Sequence, residues 1–112
     1  MAEPALKAEI WIKAQIRICD INFISAVVTR RGDSDAGAVL LKLNRLSAGV
    51  EVLTQVRDPE GQRAWMRGTG ETLVSDAIAD AYIEKQARYD PDLWVLEIED
   101  PKEQYRIEGK II

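Results

Sequence analysis

The chain has 112 residues, 46% of them hydrophobic and 30% charged, with a net charge of −4. That length suits a single domain, residues 1–112, and the composition excludes intrinsic disorder. No run of about 20 apolar residues offers a membrane span, and no unbroken apolar centre offers a secretory signal. A lone cysteine, Cys19, offers no intrachain disulfide, so the expectation is a cytoplasmic protein with no membrane partner.

The segment from Leu6 to Ile24 carries two patterns. Ile10, Ile12, Ala14, Ile16 and Ile18 alternate as in a strand, while Ile12, Ile16, Cys19 and Phe23 form one helical stripe. Good helix formers, and Pro4 at the place of a first turn, favour the helix, and that is the reading adopted. Ala26–Arg30 is a short β-branched run ended by Gly32. Ala38–Arg45 follows, with Val39, Leu41 and Leu43 on one face. Val50–Arg57 alternates, Val50, Val52 and Val56 against Glu51, Gln55 and Arg57. The turn Asp58-Pro59-Glu60-Gly61 then leads into a strand over Gln62–Arg67. The connecting loops are short enough for hairpins, which predicts a four-strand antiparallel meander.

Beyond Ser75, a natural N-cap, the period becomes helical. Ile78, Ala81, Tyr82 and Tyr89 make one stripe, flanked by Ala79 and Ile83, and Pro91 stops the helix. Leu93–Glu99 is a further strand with Trp94, Leu96 and Ile98 on one face, and Tyr105–Ile107 is a candidate edge strand. The order α-β-β-β-β-α-β predicts a two-layer α+β fold: a four-strand meander plus one further strand, packed on two helices.

Chemistry is sparse. Histidine is absent, which removes the commonest general base, the Ser-His and Cys-His pairs and most zinc sites. Cys19 lies among Ile16, Ile18 and Ile21 with no activating neighbour, as a structural thiol does. Arg67-Gly68-Thr69-Gly70-Glu71 holds a G-x-G but lacks the third glycine and the helix that a dinucleotide fingerprint needs. No cofactor is implied.

Two polar loops remain as candidate sites. In Arg30-Arg31-Gly32-Asp33-Ser34-Asp35-Ala36-Gly37, Arg30 and Arg31 suit a carboxylate or phosphate, and Asp33 and Asp35 suit a divalent cation. The structural alternative is a hairpin loop whose Asp and Ser side chains bond the local backbone. In Tyr89-Asp90-Pro91-Asp92-Leu93-Trp94 the aspartates suit turn caps and Trp94 suits the core. Asp90, Asp92 and Trp94 join the candidate ligand-binding set.

The element order also resembles the restriction-endonuclease-like nucleases, which pair an Asp with a Glu-x-Lys to hold Mg²⁺ at a phosphodiester. Asp33 or Asp35 would be the first carboxylate, but Glu51-Val52-Leu53 has leucine in place of the lysine. That leaves a degenerate nucleic-acid-binding domain as one alternative. Seven basic against five acidic residues over Arg30–Gly68 favour it locally, yet the net acidity of the chain counts against phosphate neutralisation.

Two stretches, Val28–Arg45 and Arg88–Asp100, together resemble a family of small alphaproteobacterial proteins catalogued as domain of unknown function 1491. The resemblance implies a bacterial cytoplasmic protein of this size and supports the helix over Leu6–Ile24. It supplies no activity and no catalytic residue. The expectation is a non-catalytic binding or interaction domain, dimeric through a free sheet edge or a Trp-bearing face. The alternative is an anion- or metal-dependent ligand-binding protein or enzyme that uses the Arg30–Gly37 loop.

Overall fold

A computed structural model describes residues 7–112. Pro4 and Leu6, which entered the reading of the first helix, lie outside them. The elements are α1 (Ala8–Ile21), β1 (Ser25–Arg30), β2 (Val39–Asn44), a 3-10 turn (Leu46–Ala48), β3 (Val50–Arg57), β4 (Arg63–Arg67), α2 (Asp76–Tyr89), β5 (Trp94–Glu99) and β6 (Lys110–Ile111). The α+β class and the element order agree with the sequence reading, and the first segment is helical. Among the described residues, no helix is long and apolar enough to cross a membrane.

Three details differ. The sheet order is β1-β5-β2-β3-β4-β6, so β1 and β2 are not a hairpin. Strand β5 lies between them, antiparallel to β1 and parallel to β2. The meander therefore has three strands, β2-β3-β4. The reason lies in β2, whose residues Val39–Leu43 are all buried. A strand buried on both faces belongs in the centre of a sheet, with a neighbour on each side.

The two-layer arrangement gives way to a sheet covered on both faces. One core joins Trp11, Ile12 and Cys19 of α1 to Val39, Leu41, Leu43, Leu53, Trp65, Trp94, Leu96 and Ile98. The second joins Ala79 of α2 to Leu40, Val50, Val52, Leu93 and Val95. Alternate residues of β2, β3 and β5 feed opposite cores, as strand geometry requires. The third difference is at the carboxyl end. Tyr105–Ile107 is not a strand; Tyr105 plugs the α1-side core, and β6 pairs with β4 in parallel.

Both helices show how tertiary packing adjusts a stripe. Ser75 caps α2 as read, accepting from the Ile78 N–H at 3.2 Å. The face on the sheet is centred on Ala79, with Tyr82, Ile83 and Ala87 beside it, whereas Ile78, Ala81 and Tyr89 are exposed. A small residue brings the helix close, and the Tyr82 hydroxyl reaches Thr54 Oγ1 at 2.7 Å. In α1, Ile12 and Cys19 are buried as read, but Phe23 is 98% exposed. The helix ends at Ile21, and Phe23 turns the chain with φ 59°. Ile24 N–H bonds the Cys19 carbonyl at 2.8 Å and Phe23 N–H the Asp20 carbonyl at 3.1 Å. That is the Schellman pattern, with a phenylalanine where glycine is favoured. Left-handed backbone costs a side-chain-bearing residue about 1–2 kcal/mol, and Phe23 gains no burial in return. Phe23→Gly is expected to raise stability by about 1 kcal/mol in urea unfolding; a loss would show that Phe23 packs in solution.

Buried polar groups tie the layers together. Lys42 of β2, 5% exposed, meets Asp76 at 2.7 Å, Asp80 at 2.8 Å and Glu97 at 3.6 Å. Burial pulls its ammonium pKa down, but the hydrogen bonds to Asp76 and Asp80 and the charge of Glu97 outweigh it. The lysine is held above its usual range and stays a cation that pins α2 to the sheet.

Candidate functional site: an arginine-lined cleft

The two polar loops singled out from the sequence meet in space. Arg30 Nη2 donates to the Pro91 carbonyl at 3.0 Å, and Asp33 N–H to the Asp92 carbonyl at 3.0 Å. The Trp94 indole N–H donates to the Asp33 carbonyl at 2.7 Å. Gly32 and Gly37 press against the Asp92 carbonyl and the Trp94 ring so closely that a Cβ at either would collide with both. The result is a knot in which Arg30–Gly37 and Asp90–Trp94 hold each other.

Within that knot most of the candidate side chains have protein partners, although Arg30 Nε is buried without one. The Asp33 carboxylate accepts from the N–H groups of Asp35 (3.1 Å) and Ala36 (2.8 Å), closing its own turn. Asp90 does the same for Asp92 N–H at 3.1 Å. Arg31 bonds Glu9 at 2.9 Å and lies over the Trp94 ring, 5.3 Å from its centroid. Asp35 faces Lys7 at 3.5 Å. The residues named for a nuclease are separated by role: Glu51 pairs with Arg67 at 3.2 Å, and Leu53 is buried in the α1-side core.

Beside the knot lies a cleft of about 320 Å³, bounded by Ala8 of α1, the loop residues Asp35–Ala38, and Gln55–Arg57 and Arg63 of the β3–β4 ribbon. It opens because β2 and β3 pair only as far as Leu40↔Thr54, while β3 continues to Arg57 against β4. The pairing places Arg57 directly opposite Arg63. Val52 directs both its N–H and its carbonyl towards the β4 side, at Thr69 and Gly68. By alternation Arg57 and Arg63 form a non-hydrogen-bonded pair, the kind whose side chains approach most closely.

Like charges directly opposite one another destabilise a sheet. Among the described residues neither arginine makes a salt bridge. Arg57 donates only to the Gly61 carbonyl, at 3.1 Å. Arg63 stacks over Trp11, 5.0 Å from the ring centroid, and its Nε is buried without a partner. Burial, then the nearby Arg57 charge, pull its guanidinium below the usual arginine range, against a weaker pull from Glu108. The start of α1 adds little to the positive field: Lys7 contributes no side-chain cap, but the Glu9 N–H bonds the Ser34 carbonyl at 3.1 Å and the Glu9 carboxylate occupies the first turn.

Sequence reasoning missed this pair. The signal was present: Arg57 and Arg63 flank the turn Asp58–Gln62 symmetrically, and a hairpin there must set them opposite each other. Arg57 was read on the polar side of its strand with Glu51 and Gln55, and Arg63 was not singled out within Gln62–Arg67.

These features define a small α+β domain built on one mixed six-strand sheet, with a cationic cleft at one end of its α1 side. The chain belongs to the family described as "Protein of unknown function (DUF1491)", whose model matches residues 6–108. A crystal structure of a family member from Caulobacter crescentus CB15 superposes with a TM-score of 0.85 at 35% identity, covering 96% of this chain and all (100%) of that one. An NMR structure of a family protein from the same organism gives 0.83 at 34%, covering 98% and 99% of the two chains. A solution structure of an A. tumefaciens protein shares the fold, with a TM-score of 0.71 at 24% identity over 91% of this chain and 88% of that one. No curated protein matches.

Proposed function

We propose that the protein is a non-catalytic binding domain that takes an anionic group, a carboxylate or a phosphate, between Arg57 and Arg63. One observation carries the reading: two arginines stand opposite each other across the β3–β4 ribbon with no salt bridge among the described residues, one with a buried, unsatisfied Nε. An anion would supply the missing acceptor and the missing charge, and guanidinium groups match carboxylate and phosphate in two-point geometry. Binding is favoured over catalysis because the two groups that dominate the cleft are arginines, which hold charge but do not exchange protons near neutrality. Asp35, the one carboxylate on the lining among the described residues, faces Lys7.

In this reading residues 1–112 act as one domain in the cytoplasm. Arg30, Arg31, Asp33, Asp90, Asp92 and Trp94 shape the cleft wall and do not touch the ligand. Thermal melting against phosphate, sulfate and short carboxylates tests it. At about 100 times its dissociation constant a bound anion adds roughly 2.7 kcal/mol of stability. The increase should vanish in Arg63→Gln and fall in Arg57→Gln. An increase that survives both substitutions would place the anion elsewhere and end the proposal.

A further inference from the structure

The cleft is more than a pair of charges. Where β2 turns away, β3 keeps three residues, Gln55–Arg57, that are paired on the β4 side only. Because the main-chain groups of Val52 point to β4, those of Arg57, five residues on, point the other way, into the cleft. The Gln55 side chain already accepts from Val39 N–H at 3.0 Å, which marks where the ladder ends. The lining between the arginines and the loop is small or apolar: Ala8 and Ala36, together with the strand residues Ala38 and Val56, whose side chains turn to the α2 face and leave their backbone towards the cleft. A free strand edge, a two-arginine carboxylate fork and small apolar walls are the three parts used to hold the end of a polypeptide by strand addition and terminal-carboxylate capture.

We infer that the ligand is the C-terminal end of an extended peptide. Its carboxylate sits at Arg57 and Arg63, its main chain pairs with the free edge of β3, and its last side chain lies against Ala8 and Ala36. This rests on the anion reading and narrows it to one ligand class. The volume agrees: about 320 Å³ is at the small end of ligand pockets, which run from about 300 to 1,000 Å³. A terminal residue and its carboxylate are held there while the preceding chain runs out over the surface. The fixed wall is also accounted for, because the knot around Trp94 holds Gly37 and Ala38 away from β3 whether or not a strand lies between them.

The test uses the full chain and N-terminally tethered hexapeptides randomised at their last three positions, shown as free acids and as C-terminal amides. Free acids are expected to bind at least about tenfold more tightly than amides, the effect of losing one charged hydrogen-bonding partner. Amide resonances of Gly37, Ala38 and Gln55–Arg57 should shift together on binding. Arg63→Gln, checked for folding by circular dichroism, should lose the preference for acids. A selected peptide remade with an ester in place of its penultimate amide should bind about tenfold more weakly, since one strand hydrogen bond is gone. Equal binding of acids and amides, or an ester without effect, would overturn the inference. Stabilisation by inorganic phosphate or acetate with no peptide captured would overturn it too, while leaving the anion reading intact. No response to any probe would remove both.

Discussion

Trp94→Ala is expected to cost about 3–5 kcal/mol, the range for removing a large buried aromatic, because Trp94 is 1% exposed at the centre of the α1-side core. Against a total of about 5–15 kcal/mol, that loss leaves a marginal protein. The more informative variant is Trp94→Phe. It keeps most of the packing but removes the indole donor to the Asp33 carbonyl, a loss of about 1 kcal/mol plus the cost of an under-satisfied acceptor. If the knot acts as described, Trp94→Phe should accelerate hydrogen exchange at Asp33 and Gly37 N–H while leaving exchange in β3 and β4 unchanged. Uniform acceleration across the sheet would mean that Trp94 contributes only bulk.

The second large effect concerns Asp100, 2% exposed after β5. Its carboxylate accepts from Gln104 N–H at 2.9 Å, Tyr105 N–H at 2.8 Å and Arg45 Nη1 at 3.1 Å. Arg45 also donates to the Asp100 carbonyl at 2.8 Å. Asp100 thus folds the carboxyl-terminal segment over the sheet and places Tyr105, whose hydroxyl donates to buried Gln15 of α1 at 2.6 Å. Asp100→Ala takes the compensating charge from the buried Arg45 guanidinium, which keeps the carbonyl of residue 100, leaves two amides without acceptors, and should cost about 3–5 kcal/mol in urea unfolding.

Asp100→Asn separates charge from shape, and Cys19 is the reporter. Burial, and then the Asp100 charge, push the Cys19 thiol up to about 11. Since the folded value lies above the ordinary value of 9.0, the thiol stabilises the fold fully below pH 9.0, and that contribution is lost as the pH rises through about 11. Asp100→Asn should lower the thiol's midpoint while burial keeps it above 9.0, which ultraviolet thiolate absorbance against pH would show. An unchanged midpoint would leave burial as the sole cause.

Much of the architecture was legible because it is written in local periodicity. The strand alternation of Val50–Arg57, the Ser75 cap and the stop before Pro91 each depend on neighbours within a turn or two. Phe23, read into the α1 stripe, is a local misreading, since the helix ends at Ile21; the others involve partners far along the chain. The insertion of β5 between β1 and β2 is set by burial on both faces of β2, which a loop of hairpin length conceals. The face of α2 follows Ala79, not the larger Ile78, because close approach to the sheet outweighs side-chain size.

The candidate site divides the same way. The sequence exposed two Asp-bearing loops, the first also Gly-rich, and the fold joins them as a knot. The arginines of the cleft were hidden because a cross-strand pair becomes visible only when a hairpin is drawn with its register. Leu53, where a nuclease lysine was sought, is apolar because it faces α1.

The placement of β5 also orders events in time. Strands β2, β3 and β4 can assemble from neighbours as soon as they are made, whereas Ser25–Arg30 has its partner at Val95–Glu99, about 70 residues later. During synthesis α1 and β1 must wait, with β2 offering a bare apolar edge, until residue 99 has emerged. Closing so long a loop is slow relative to forming the hairpins. An interrupted chain that ends before β5 exposes an unpaired β1 and the open edge of β2 at once, the kind of surface that chaperones engage.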